Sequence, residues 1–94
     1  TNLPVLGIPM DNPPFGGLDA LLATVQMPGG VPVATLGAGS GGPVNAALHA
    51  ARILALRDEG LAQRLASYRQ EQAAAVVAKD SKLQARLMET AGEA

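Results

Sequence analysis

"TLGAGSGGPVNAALHA", Thr35 to Ala50, is the stretch on which the fold turns. An apolar run stops at a cluster of glycines, and an alanine-rich helical pattern begins. Gly37, Gly39 and Gly42 have the G-x-G-x-x-G spacing of a dinucleotide-binding turn. That turn requires a strand before it, a helix after it, and an acidic residue about 20 positions on at the end of a second strand. The first two conditions hold. "VPVATLG" reads as a strand, and Pro43 suits a first helical turn, where its missing N–H would be unpaired anyway. The third condition fails. Asp58 and Glu59 lie at about the right distance, but between "ALR" and "GLAQRL", a junction between two helical patterns. Pro43 also withholds an amide where pyrophosphate would bind. What remains is a close strand-to-helix turn, whose amides and helix dipole favour an anion or a carbonyl. Tight strand-to-helix packing is the alternative use of the same glycines.

Upstream, Leu3 to about Pro9 is apolar without clean alternation, as in a parallel strand covered on both faces. "MDNPPFGG" is a loop by its Asn-Pro, Pro-Pro and Gly-Gly pairs. "LDALLATVQM" places Leu18, Leu21, Leu22 and Val25 on one helical stripe, with Asp19 in the favourable first turn. "PGG", Pro28 to Gly30, ends it. The order β-α-β-α with short connections predicts a right-handed parallel unit in an α/β sheet. Two strands cannot bury both faces of such a sheet, so further strands must come from elsewhere. The sequence opens at Thr1 and enters an apolar run almost at once. We therefore expect a longer protein around these residues, with a processed or tag-cleaved terminus as the alternative.

All seven prolines and nine of the eleven glycines precede Ala51, whereas every Lys and Arg follows it. The composition predicts an α/β portion over residues 1–57 and a helical extension over 58–94. In that extension Leu61, Leu65 and Tyr68 form a narrow stripe, continued loosely by Gln72 and Val76. One helix to Met88 would reach roughly 45 Å at about 1.5 Å per residue, more than a small domain needs. A restart at Asp80 or Ser81 is expected as an alternative, because Ser81 to Gln84 fits a capping box, as is a frayed tail after about Ala78. A protruding helix with one apolar stripe points to an oligomer.

The balance of seven cationic against eight acidic residues leaves a net charge of −1, without the electrostatic footprint for nucleic acid or an anionic membrane. Phe15 and Tyr68 are the only aromatics, too few for a base-stacking platform. The absence of cysteine excludes disulfides and thiolate metal sites, and a cytoplasmic protein is expected. No apolar stretch approaches the roughly 18 residues of a membrane span. His49, the single histidine, has no carboxylate among its helical neighbours and reads as an ordinary helix residue. No nucleophile–base pair and no H-x-x-x-H pattern is present. The residues alone predict no catalytic group, no metal and no cofactor.

Three blocks are more specific than the glycines. "LPVLGIPM", "GGLDALLATVQMPGGVPVATLG" and "NAALHAARILAL" resemble the second half of the 5-(carboxyamino)imidazole ribonucleotide mutases, the purine-biosynthetic AIR carboxylase family. The resemblance runs from Leu3 to about Arg69 and is strongest over Val25 to Thr35. It implies a three-layer, flavodoxin-like α/β fold with a long C-terminal helix, assembled as a homo-octamer with active sites between subunits. The implied reaction moves a carboxylate from the exocyclic nitrogen of an imidazole ribonucleotide to a ring carbon, with a histidine shuttling the proton and without metal or organic cofactor.

That family's Gly-Ser-x-Ser-Asp, Ser-Ala-His-Arg and Gly-Gly-Ala-Ala-His-Leu-Pro segments belong to its front half and have no counterpart here. The resemblance thus implies no catalytic residue in this chain and expects the missing half in the same or another chain. Pro9, Gly17, Gln26, Met27, Pro28 and Gly30 would line or support the substrate pocket. The chain departs from the family at Ser40, where a lysine is usual, at Phe15-Gly16-Gly17, and in "MDNPP". A non-catalytic assembly module and an unrelated nucleotide-binding α/β fragment are the other two readings.

Overall fold

The computed structural model describes residues 1–93, and two compact units divide the chain, Thr1–Leu54 and Ala55–Ala94. The first unit carries β1 (Leu6–Gly7), α1 (Leu18–Val25), β2 (Ala34–Thr35) and α2 (Gly41–Ala55, whose final residue falls in the second unit). The second carries α3 (Glu59–Glu93).

β1 and β2 pair in parallel, Leu6 opposite Ala34 and Gly7 opposite Thr35. The Ala34 amide donates to the Val5 carbonyl at 3.0 Å, and the Leu36 amide donates to the Gly7 carbonyl at 2.9 Å. The parallel β-α-β-α order expected from the sequence is present. The strands are far shorter than Leu3–Pro9 and Val31–Gly37. Pro4 and Pro9 bracket β1 and Pro32 precedes β2, and a proline has no N–H for a ladder. Each strand also has a neighbour on one side only.

Side chains alternate across a strand, so Gly7 and its neighbours face opposite layers. A Cβ on Gly7 would strike Thr24 of α1 and stand 3.2 Å from Val33. Ile8 points the other way and comes within 3.3 Å of a Cβ built on Gly42 at the start of α2. The sheet is therefore layered between α1 and α2. Absence of a side chain at Gly7 is what lets α1 lie this close.

Helix α1 begins at Leu18, with Gly17 as its N-cap residue in the left-handed region at φ 94°. It stops at Val25 rather than Met27. The residue before a proline is pushed out of helical conformation, so Pro28 disfavours helix at Met27, and Gln26 has already left it. The stripe Leu18, Leu21, Leu22 and Val25 forms as expected but is exposed along its length, and α1 has no buried residue. Ala46 is the one buried hydrophobic residue among those described, and Pro9 the largest fully buried one. Leu3, Val5 and Ile8 around β1 are exposed as well. These apolar side chains stand on the surface of the unit.

The second unit is one helix. Asp58 caps it, its Oδ1 accepting the Leu61 amide at 3.0 Å while its carbonyl accepts the Ala62 amide. α3 then runs unbroken for 35 residues, roughly 52 Å at about 1.5 Å per residue. Neither the expected restart at Asp80 or Ser81 nor a frayed tail after Ala78 occurs. No glycine or proline interrupts Leu61–Ala91, and ending the ladder at Ser81 would free backbone groups that one capping side chain cannot replace. Among the described residues, no helix is long and apolar enough to cross a membrane.

Candidate functional site

Because β1 and β2 are parallel, the segments that leave them emerge at the same sheet edge. Pro9–Gly17 leaves β1, and Leu36–Ser40 leaves β2. In open parallel sheets this carboxyl edge is where ligands bind. The two segments approach each other here. A Cβ on Gly39 would lie 3.8 Å from Asp11 Oδ2, and Gly39 itself has φ 84°. Gly17 is buried against the same residue, since a Cβ there would fall 2.8 Å from Asp11 Cα and 3.0 Å from the Met10 carbonyl.

The glycine turn closes on itself. A Cβ on Gly42 would collide with the Gly37 carbonyl, and one on Gly37 would sit 3.6 Å from Gly42 Cα. The Gly42 amide donates to Gly39 O at 3.2 Å. Pro43 lies in the first turn of α2, as its sequence position required. These glycines are used for contact with their own backbone, and the nearest charge at the mouth of the turn is the Asp11 carboxylate. A pyrophosphate there would face the like charge of that carboxylate.

The connection from α1 to β2, Gln26–Val33, lies at the opposite sheet edge. There Val31 N–H donates to Pro28 O at 3.1 Å, closing a four-residue turn. Gly30 takes its third position at φ 94°, a conformation that glycine adopts without Cβ strain. The turn walls an open hollow of about 410 Å³ bordered by Val25, Met27, Pro28 and Gly30. A second hollow of about 440 Å³ lies between Gly30–Val33 and the segment Thr1–Val5 that leads into β1. The Gln26 amide donates to Leu22 O, ending α1, and its side chain is exposed.

The candidate residues thus fall into two groups. Pro9 and Gly17 stand at the carboxyl edge, and Gln26, Met27, Pro28 and Gly30 stand at the amino edge. This chain does not bring the two groups together. His49 is exposed on α2, beside a hollow of about 210 Å³ shared with Leu6, Pro32 and Ile53. Among the described residues no three acidic or histidine side chains gather as a metal site. Sequence reasoning passed over Gly7 and the approach of Asp11 to Gly39. The first left no local signal, because the contact is to a helix 17 residues away at Thr24. The second lay in the loop spacing only.

Residues 1–75 match the family model described as AIR carboxylase. The chain belongs to that family. It is 51% identical to the N5-carboxyaminoimidazole ribonucleotide mutase of Brucella melitensis over 81 residues, 86% of this chain and 50% of that protein. It is 55% identical to the Bacillus subtilis protein of the same name over 65 residues, 69% of this chain and 40% of that one. The Methanocaldococcus jannaschii mutase is 48% identical over 83 residues, covering 88% and 51%. The chain therefore spans about half the length of the curated relatives it matches. Within an AIR carboxylase chain, the glycine turn has a structural use, closing β2 onto α2. The geometry of the turn does not favour the dinucleotide reading.

Proposed function

We propose that this chain is the C-terminal portion of an N5-carboxyaminoimidazole ribonucleotide mutase of purine biosynthesis. It would work in the cytoplasm, in a homo-oligomer that is octameric if it follows the family resemblance. The remaining strands of a three-layer, flavodoxin-like sheet come from the family's front half. Family membership over residues 1–75, joined to a sheet whose apolar faces stand exposed, is the observation that carries this reading.

The reaction is an isomerisation. The carbamate C–N bond breaks and releases carbon dioxide. The ring carbon then forms a C–C bond to it, and the proton lost from that carbon ends on the exocyclic nitrogen. Carbon dioxide must be held until it is recaptured, so the site has to exclude water. This chain contributes apolar walls and tight turns. Pro9 and Gly17 support the carboxyl-edge wall, and Gln26, Met27, Pro28 and Gly30 present the amino-edge loop to a pocket completed by other residues. The group that moves the proton is supplied by the front half. The wide separation of the two loops in one chain supports active sites assembled between subunits.

Turnover of the carboxyamino substrate by the purified chain, alone and mixed with a polypeptide carrying the front half of the Brucella melitensis mutase, tests this. No conversion alone and conversion in the mixture is the expected result. Conversion by the chain alone, shown free of longer polypeptides, would overturn the division of labour. Folding of the mixture into a stable complex without turnover would favour the non-catalytic assembly module.

A further inference from the structure

In dinucleotide-binding α/β folds, the acid that takes the ribose hydroxyls ends the strand beside the one that feeds the glycine turn. Along the sequence, Gly37, Gly39 and Gly42 have no such acid downstream, because Asp58 and Glu59 stand at the start of α3. In space the acid is present. The turn follows β2, the neighbouring parallel strand is β1, and the loop that leaves β1 carries Asp11. The chain order of the two parts is reversed, and both meet at the carboxyl edge.

Three observations single out this carboxylate. Its Oδ2 would lie 3.8 Å from a Cβ on Gly39, so the lack of a side chain there leaves room beside it. Its main chain is hemmed in by Gly17, where a Cβ would fall 2.8 Å from Asp11 Cα, while the residue itself is exposed. No cation of its own unit competes for it. The one Lys or Arg in Thr1–Leu54 is Arg52, in the last turn of α2 and roughly 16 Å along the helix from Gly41. Asp19, the other acid of the unit, lies in the first turn of α1, where the helix dipole favours it.

An ionised carboxylate only accepts hydrogen bonds. A phosphate beside it meets a like charge, whereas neighbouring hydroxyls of a sugar meet two acceptor oxygens. We propose that Asp11 and the open side of Gly39 form a ribose subsite. The carboxylate accepts hydrogen bonds from the 2′- and 3′-hydroxyls of a ribonucleotide whose phosphate points away from the glycine turn. This rests on the proposed function and deepens it, adding to the apolar walls a contact with the substrate's sugar.

Kinetics of the chain mixed with the Brucella melitensis front half, on the carboxyamino substrate and on its 2′-deoxy counterpart, read the subsite. Asp11→Asn keeps the Cβ that packs near Gly17 and removes the charge. It should raise KM about tenfold or more with kcat unchanged. The wild-type preference for ribose over deoxyribose, also about tenfold, should vanish in the variant. If the carboxylate only repelled phosphate, Asp11→Asn would lower KM, and that result would overturn the proposal. So would a preference for ribose that survives the substitution. Asp19→Asn should leave both quantities unchanged.

Titration of the full chain alone with ribose 5-phosphate and with 2-deoxyribose 5-phosphate, followed by NMR at the Gly39 and Ser40 amides, separates the subsite from the reaction. Shifts with ribose 5-phosphate that disappear in Asp11→Asn are expected. Equal shifts with both sugars, or none in the wild-type chain, would overturn the subsite. Ribose-dependent shifts without turnover in the mixture would retain the subsite and remove the mutase reading. Turnover indifferent to Asp11, with no such shifts, would do the reverse.

Discussion

The two units of the chain hold their shapes by opposite means. In Thr1–Leu54, backbone meets backbone or side chain at glycine after glycine, and helix and sheet are set by contacts distant in sequence. In Ala55–Ala94, the hydrogen bonds among the described residues are local: an Asp58 cap, then an unbroken ladder over Glu59–Glu93. Yet both leave apolar side chains in water, α1 along Leu18–Val25 and α3 from Val76 to Met88. Close packing and surface coverage are thus separate requirements. The first unit meets the former within itself and leaves the latter unmet. The second is joined by local hydrogen bonds and leaves its apolar side chains from Val76 to Met88 exposed.

Substitutions that insert a Cβ at the glycine contacts should separate the units most sharply. Gly42→Val would drive a side chain into the Gly37 carbonyl, where no flexible group can yield. Loss of the first unit's fold is expected, with an overpacking cost at or above about 3 kcal/mol. Circular dichroism should show the α3 signal surviving while α1 and α2 are lost. Cooperative loss of all helix would break the comparison. Gly7→Ala meets the Cγ2 of Thr24, a side chain with some freedom, and should cost about 1–3 kcal/mol in thermal denaturation. Thr24→Ala is expected to recover much of it.

In the helical unit, Asp58→Ala removes the acceptor of the Leu61 amide and should cost about 1 kcal/mol of helix stability, with the first unit's melting unchanged. Gly30→Ala places a Cβ at φ 94° with nothing near it. The strain alone should cost about 1 kcal/mol and shift the unit by a few degrees. Thr35→Val is the smallest change. The Thr35 hydroxyl is buried without a hydrogen-bond partner, so replacing it with a methyl should be neutral or slightly stabilising.

Local chemistry was legible. Pro43 announced the start of α2, Pro28 the end of α1, and the Pro28–Gly30 triplet the turn before β2. Lengths were less so. The apolar runs at Leu3–Pro9 and Val31–Gly37 report side-chain chemistry, whereas the short paired segments record which amides find a carbonyl in this chain. α3 outran its expected stop because a capping box signals a permitted start, and only competition with the intact ladder decides whether it is used. The candidate site was legible as a set of residues and not as an arrangement. That Pro9 and Gly17 stand at one sheet edge and Met27 and Gly30 at the other follows from strand direction. Single-residue chemistry does not encode that.

Hydrogen exchange at the Ala34 and Leu36 amides tests the incompleteness of this sheet most directly, since these two bonds join β2 to β1. In the isolated chain both should exchange faster than the amides inside α2, since each strand has a paired neighbour on one side only. On addition of a polypeptide carrying the front half of a family member, both should slow by more than about 100-fold. Strong protection of both amides in the isolated, monomeric chain would contradict the account.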